Sequence, residues 1–197
     1  MAKETLMKQE IDVVLLAIEM TKQAQHVDKC WSLLKMINQA CRTYPKVIND
    51  SIGYYRTVFD SLVTSVFIGL GRLYDKDADS FSLYSLRALL GVSFKDAGID
   101  DVKAYSQKLN ALAPRIGSLR YLRGKQYAHN DRKLAWQSDW LTEQFPLSDE
   151  DIEALIQFAK EYCDFFSMMF LGAKIEDWIP PCDDFWNTMS DNPDALM

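Results

Sequence analysis

Histidine and cysteine are scarce in this chain of 197 residues, which contains two histidines and four cysteines. The cysteines form no CxxC pair and no cluster with histidine, so the sequence indicates neither a zinc site nor a secreted disulfide framework. We therefore expect ordinary buried thiols and no metal or other cofactor. The four are Cys30, Cys41, Cys163 and Cys182.

Long apolar runs and flexible linkers are also missing. No run approaches the roughly 20 apolar residues that a helix needs to span a bilayer, and the start lacks the apolar core of a signal peptide. No stretch rich in Pro, Gly or Ser divides the chain, of which 48% is hydrophobic. The sequence therefore predicts one cytoplasmic domain without membrane contact.

Apolar residues recur at helical spacing almost throughout, and the alternation typical of strands is missing. The first stripes predict two antiparallel helices, separated by a turn near His26 and a cap at Asp28. The longest stripe predicts a helix over about 46–75.

A short helix is expected to end at Gly91, and Asp100 or Asp101 to cap the next. Pro114 is expected either to start a further helix or to kink this one. Ser148 is expected to cap the last helix of the bundle, and Gly172 to end it. The face predicted to point inward before the motif consists of Leu109, Leu112, Ile116 and Leu119.

These patterns together predict an all-α fold, an antiparallel bundle of four or five main helices. We assign residues 1–173 to the bundle and residues 174–197 to an acidic, aromatic extension that packs on it. The extension has six acids and one lysine, hence about -5 in charge. Its aromatic residues favour docking on the bundle; the alternative is that its acids screen a basic groove.

Basic residues concentrate between residues 115 and 133, which hold six Arg and Lys and one acid in a chain of net charge -6. Within this window Arg123 precedes His129 by six positions. An arginine offers a permanently charged planar fork for phosphate oxygens, and a histidine exchanges protons near neutral pH. The pair therefore predicts phosphate chemistry.

Arg123 and His129, with five residues between them, resemble the Arg-x(4–6)-His signature of HEPN domains. The Tyr-Ala-His-Asn-Asp of residues 127–131 resembles the Ala-His-x-Asp ending of the abortive-infection, AbiU-like branch, and so does the Arg-Leu-Tyr-Asp of residues 72–75. The similarity covers most of residues 5–170. One position differs, because the superfamily usually has Asn, Asp or His where this chain has Gly124.

The resemblance implies a homodimer with its site at the interface, and a metal-independent endoribonuclease of the toxin or abortive-infection type used in phage defence. His129 would exchange protons with the ribose 2'-hydroxyl and the leaving 5'-oxygen, while Arg123 would stabilise charge on the phosphorus oxygens. The products would carry a 2',3'-cyclic phosphate. RNA is the expected ligand, and an antitoxin or other regulatory protein is a further expected partner.

The spacing restricts how the two residues can meet. On a straight helix, positions six apart lie roughly 120° apart around the axis and about 9 Å apart along it. Either the helix distorts, or two chains share the site. The polar residues around the pair are predicted to bind RNA: Arg120, Lys125, Tyr127, Asn130, Arg132 and Lys133. A solvated charged face is an equal alternative for the four basic residues among them, and packing in the core or at an interface is the favoured alternative for Tyr127.

A second reading is a non-catalytic HEPN-like module that binds RNA, a nucleotide or a protein partner through the same basic groove. Gly124 and the acidic total favour this reading, whereas the intact Arg123 and His129 pair favours the nuclease. Gly69 and Gly71 lie inside the long predicted helix and have no strand before them. We therefore expect them to allow close helix packing rather than to bind phosphate.

Overall fold

The computed structural model describes residues 2–77, 79–93, 99–124 and 146–172, and every regular element in these ranges is a helix. The all-α prediction is therefore confirmed, with seven helices in these ranges. None of them is long and apolar enough to cross a membrane. The helices are α1 (Ala2–Thr43), α2 (Pro45–Asp50), α3 (Ile52–Leu73), α4 (Leu83–Ser93), α5 (Ile99–Ala111), α6 (Ala113–Leu122) and α7 (Asp149–Leu171).

The first helix is continuous over 42 residues, so the predicted turn near His26 is wrong. Its buried stripe passes through the small residues Ala17 and Ala24, which are 2% and 1% exposed. A pattern built on large apolar residues leaves a gap at such positions, although helix packing favours small side chains where backbones approach. Asp28 does not cap a helix; its carboxylate accepts a hydrogen bond from Lys160 Nζ at 2.6 Å.

The long helix predicted over 46–75 is found, but it is interrupted at Ser51, where α2 ends and α3 begins. The second half of α3 is buried against α1. At Gly69, a Cβ atom would lie 2.4 Å from Val27 Cγ2 and 2.8 Å from Gln23 Nε2, closer than such atoms can approach. The prediction that Gly69 allows close helix packing is therefore confirmed.

The helices that follow broadly match their predicted positions. Helix α4 does not end at Gly91 but continues to Ser93, and α5 has Asp100 and Asp101 in its first turn. Pro114 lies in the first turn of α6, as expected from its fixed φ. The face predicted to point inward is buried: Leu109, Leu112, Ile116 and Leu119.

Tyr74 links the end of α3 to the middle of α7. Its side chain is fully buried, and its hydroxyl donates a hydrogen bond to the carbonyl oxygen of Leu155 at 2.6 Å. Burial raises the pKa of Tyr74 well above its ordinary value. The tyrosine of the Arg-Leu-Tyr-Asp sequence is therefore a structural anchor, and it fixes the chain immediately before Asp75.

A capping box starts α7, as the sequence predicts. The Ser148 hydroxyl accepts from the backbone N–H of Asp151, and the Asp151 carboxylate accepts from the backbone N–H of Ser148. Arg115 of α6 also donates to Asp151, and this bond, with those from Ser148, lowers the carboxyl pKa. Gly172 ends the helix with φ of 68°, so both predicted ends are confirmed.

We expect Gly69→Ala to destabilise the fold, because its Cβ would press on the stiff, fully buried Val27. Overpacking of this kind costs about 1–3 kcal/mol, and Gly→Ala within a helix returns at most about 1 kcal/mol. The control is Gly53→Ala, where no described atom lies within 4 Å of the added Cβ. Urea unfolding followed by circular dichroism would compare them; equal stability of the two variants would contradict the packing argument.

Candidate functional site

Two of the eight predicted site residues, Arg120 and Arg123, fall within the described part of the chain, at the end of α6. The structure brings both to the junction between α3, α4 and α6. The other six lie outside the described residues: Lys125, Tyr127, His129, Asn130, Arg132 and Lys133.

The helix changes its winding at Arg123. Helix α6 ends at Leu122, and residues 123 and 124 continue as π-helix. A π-helical turn holds more residues than an α-helical one, and such turns are frequent at functional sites. The winding therefore departs from a regular α-helix at Arg123. His129 lies outside the described residues, and both arrangements that the motif spacing allows stay predictions.

The side chain of Arg123 passes over a position on α3 that has no side chain. A Cβ atom on Gly71 would lie 2.1 Å from Cδ of Arg123 and 2.9 Å from its Nη1. Gly71 itself is buried. The prediction that Gly71 allows close packing is confirmed, but its partner is a charged side chain rather than a second helix backbone.

Asp75 holds the guanidinium of Arg123 from the loop after α3. Its Oδ2 lies 3.5 Å from Nη1 of Arg123, and the two side chains are 26% and 32% exposed. Its Oδ1 accepts the backbone N–H of Asp77 at 3.1 Å, which orients the carboxylate. Within the described ranges Asp75 is the one charged partner of Arg123. Among the described residues, this single contact occupies few of the five guanidinium N–H donors, which are groups that can bind phosphate oxygens.

Arg120 lies one helical turn before Arg123 and is exposed. Its positive charge acts on Tyr84 of α4, a half-buried residue that the sequence reasoning missed. Burial raises the pKa of Tyr84, while the positive charges of Arg87 and Arg120 oppose that shift. Tyr84 and Arg87 are spaced i, i+3 on α4, a signal hidden by the leucine stripe of the same helix.

Arg115 has a structural role, which reduces the charge that the basic window can offer a ligand. Its guanidinium donates to Asp151 in the capping box of α7, so the pair joins α6 to α7. The six basic residues counted between 115 and 133 therefore do not all form one surface.

The cysteines and the other histidine form no alternative site. His26 is exposed on α1, and its Nε2 lies 3.6 Å from Sγ of Cys30. This contact is a histidine neighbour that the sequence reasoning overlooked. Cys30 and Cys163 are buried as expected, whereas Cys41 is exposed, contrary to prediction. No group of three or more candidate metal ligands occurs among the residues that the structure describes.

A cleft of about 420 Å³ lies between α1 and α7. Its charges already neutralise each other: Lys35 Nζ lies 2.7 Å from Oε1 of Glu153, which also accepts from Trp31 Nε1 at 3.2 Å. The bonds from Lys35 and then Trp31 lower the pKa of Glu153. This cleft therefore offers no unpaired group for a charged ligand.

Comparison with known proteins yields a family. Neither the curated proteins nor the solved structures include a match to this chain. A model of HEPN domains described as AbiU2 matches residues 12–177, a range that contains most of α1, all of α2 to α7, Asp75, Arg123 and His129. With most of its length matched, the chain belongs to the AbiU2 family of HEPN domains.

Proposed function

We propose that this protein is a metal-independent endoribonuclease of the abortive-infection type. Membership of the HEPN superfamily supports the coarse class, a role related to RNA cleavage or abortive infection. The observation that carries the finer proposal is the placement of Arg123. Its side chain crosses α3 over Gly71, and its guanidinium has Asp75 as its one charged partner among the described residues.

The chemistry proposed is transfer of a phosphodiester to the neighbouring ribose oxygen. His129 accepts the proton of the 2'-hydroxyl, the 2'-oxygen attacks phosphorus, and the bond to the 5'-oxygen breaks. The 5'-oxygen takes up a proton as it leaves, and the other strand end keeps a 2',3'-cyclic phosphate. Arg123 donates to the non-bridging oxygens, where negative charge increases in the transition state.

A homodimer is the second part of the proposal, with two copies of the motif facing one groove. The resemblance implies it, and large apolar side chains exposed around α2 support it, because such groups on a monomer mark an interaction surface. They include Tyr44, Val47, Ile52 and Tyr54, which are 62%, 52%, 55% and 68% exposed.

Gly124 supports the alternative, a non-catalytic module that binds RNA, a nucleotide or a regulatory protein. No described atom lies within 4 Å of a Cβ built at this residue, so the described structure leaves room for a larger side chain. Gly124 lacks the polar side chain that the superfamily usually has at this position, although the described residues leave room for one. Binding of RNA without cleavage is the outcome that distinguishes this alternative.

We expect the purified protein to cut single-stranded RNA in the presence of EDTA, to leave 2',3'-cyclic phosphate ends and to spare DNA, which lacks the 2'-hydroxyl. His129→Ala should lower the rate by about 10²- to 10⁴-fold, the usual contribution of general acid–base catalysis. Arg123→Ala should lower it severely, while Lys125→Ala should only weaken cutting. Gel analysis of labelled RNA and mass spectrometry of the ends would measure both rate and product.

The chain offers matched controls for both substitutions. His26→Ala removes the other histidine, which is exposed on α1, and Lys103→Ala removes an exposed cation of α5. Both variants should cut RNA like the wild type. Unchanged cutting by His129→Ala, or a strict need for a divalent metal, would reject the mechanism in favour of the binding module.

Light scattering should give twice the mass of a single chain for the isolated protein. Tyr44→Ser with Tyr54→Ser should shift the mass towards the monomer without loss of helix content, because both rings are exposed. The paired control is Met36→Ser with Met168→Ser, which changes exposed apolar residues elsewhere. A wild-type monomer at micromolar concentration, unaffected by RNA, would remove the shared-site proposal.

A further inference from the structure

Two cations lie near the ring of Tyr84, and a third acts on its hydroxyl from α6. Lys76 Nζ, from the loop after α3, lies 5.3 Å from the ring centroid. The guanidinium carbon of Arg87, one turn along α4, lies 5.8 Å from it. Arg120 of α6 is close enough to act on the hydroxyl electrostatically. We refer to these four residues as the Tyr84 patch.

The positive charge of the Tyr84 patch is not neutralised within the described structure. No carboxylate there lies within 4 Å of any of its three cations, whereas Lys35, Lys160 and Arg115 all have one. The polar side-chain partner of Arg87 is the neutral amide oxygen of Asn110, 3.4 Å from Nη1.

Nearby acids of the loop do not change this balance. Asp75 is paired with Arg123, and its other oxygen accepts the Asp77 N–H. Asp77 uses a carboxylate oxygen to accept the backbone N–H of Asp79 at 3.1 Å. Asp79 is exposed, and it makes no ion pair with the Tyr84 patch in the described part of the chain.

The Tyr84 patch is continuous with the seat of Arg123. Lys76 directly follows Asp75, and Arg120 lies one turn before Arg123 on the same helix. Residues three apart on a helix are neighbours on its surface. A polyanion bound at Arg123 would therefore meet the patch next.

We propose that the Tyr84 patch is a second phosphate-binding subsite, which holds the backbone of single-stranded RNA beside the phosphate at Arg123. This inference rests on the proposed function and extends its substrate contacts. The ring holds the cations together by cation–π attraction, and a phosphate relieves the repulsion between them. With Lys76 and Arg87 at the ring, Tyr84 positions the cations and does not stack on a base.

The salt dependence of binding tests the subsite. Each phosphate contact to a single strand contributes about 0.7 to the slope of log affinity against log salt. The probe is a short 2'-O-methyl oligoribonucleotide, which keeps every phosphate but cannot be cut. A subsite that holds one phosphate contributes about 0.7 to this slope, so we expect Arg87→Gln with Arg120→Gln to reduce the slope by about 0.7, and Arg120→Gln alone to reduce it by less. Fluorescence anisotropy over a range of salt concentrations measures both.

The matched control is Lys22→Gln with Lys103→Gln, which removes the same charge from exposed positions on α1 and α5. Its slope should equal that of the wild type. An unchanged slope in the variant that carries both Arg87→Gln and Arg120→Gln, or an equal reduction in the control, would overturn the subsite. Failure of the wild type to bind the oligoribonucleotide would also overturn the subsite. Binding of a protein, but not of RNA, at the Tyr84 patch would do the same.

Cleavage of unmodified RNA separates this proposal from the previous one. A wild type that binds with a patch-dependent slope but does not cut retains the subsite and rejects the nuclease. A wild type that cuts while its slope is independent of Arg87 and Arg120 retains the nuclease and rejects the subsite.

Discussion

The position of the Arg123 side chain depends on the absence of a side chain at Gly71. Because Gly71 has no Cβ, the arginine stem can cross α3 and place its guanidinium beside Asp75. The ion pair is partly exposed, and such pairs contribute only about 0–1 kcal/mol to stability. Its main consequence is therefore orientation: it limits where the strongest cation of the motif can point.

The orientation of Arg123 depends in turn on a buried contact in the core. Tyr74 is held by Leu155 of α7, so the backbone entering Asp75 is anchored in the centre of the bundle. One oxygen of the Asp75 carboxylate accepts the backbone N–H of Asp77, and the other contacts the guanidinium of Arg123. The Arg-Leu-Tyr-Asp sequence thus contributes a buried anchor, Tyr74, and the Asp75 carboxylate that contacts Arg123, although it lies far from the motif along the chain.

A basic edge on an acidic protein has a consequence for binding. The chain carries a net charge of -6, so distant charges would repel RNA, whereas Arg120, Arg123 and the Tyr84 patch would attract it locally. At physiological salt the screening length is about 8 Å, which favours the local contacts over the overall repulsion. Residues 173–197, which include the acidic extension, lie outside the described residues, and its docking on the bundle stays a prediction.

Local signals predicted the ends of helices well. The Ser148 capping box, Gly172 and Pro114 all act within a few residues of themselves, so their patterns are complete in the sequence. The resemblance of the motif also identified the family correctly. The continuous α1 was missed because its stripe passes through alanines such as Ala24.

The arrangement of the site could be predicted less well, since it depends on contacts between distant segments. Nothing local to Gly71 shows that its empty space is filled by Arg123, and the Tyr84 patch joins residues from a loop and two helices. The i, i+3 spacing of Tyr84 and Arg87 is visible in the sequence. It indicates a basic surface only when the fold shows that Arg120 of α6 also acts on Tyr84.

The most direct test of the account is a double-mutant cycle between Gly71 and Arg123, measured by single-turnover RNA cleavage and by unfolding. Gly71→Ala should lower cleavage strongly, because the added Cβ displaces Arg123, while stability is unchanged or rises by up to about 1 kcal/mol from helix propensity. In the Arg123→Ala background the same change should leave cleavage unaffected. Full cleavage by Gly71→Ala, or an equal further loss in the Arg123→Ala background, would contradict the claim that Gly71 acts by seating Arg123.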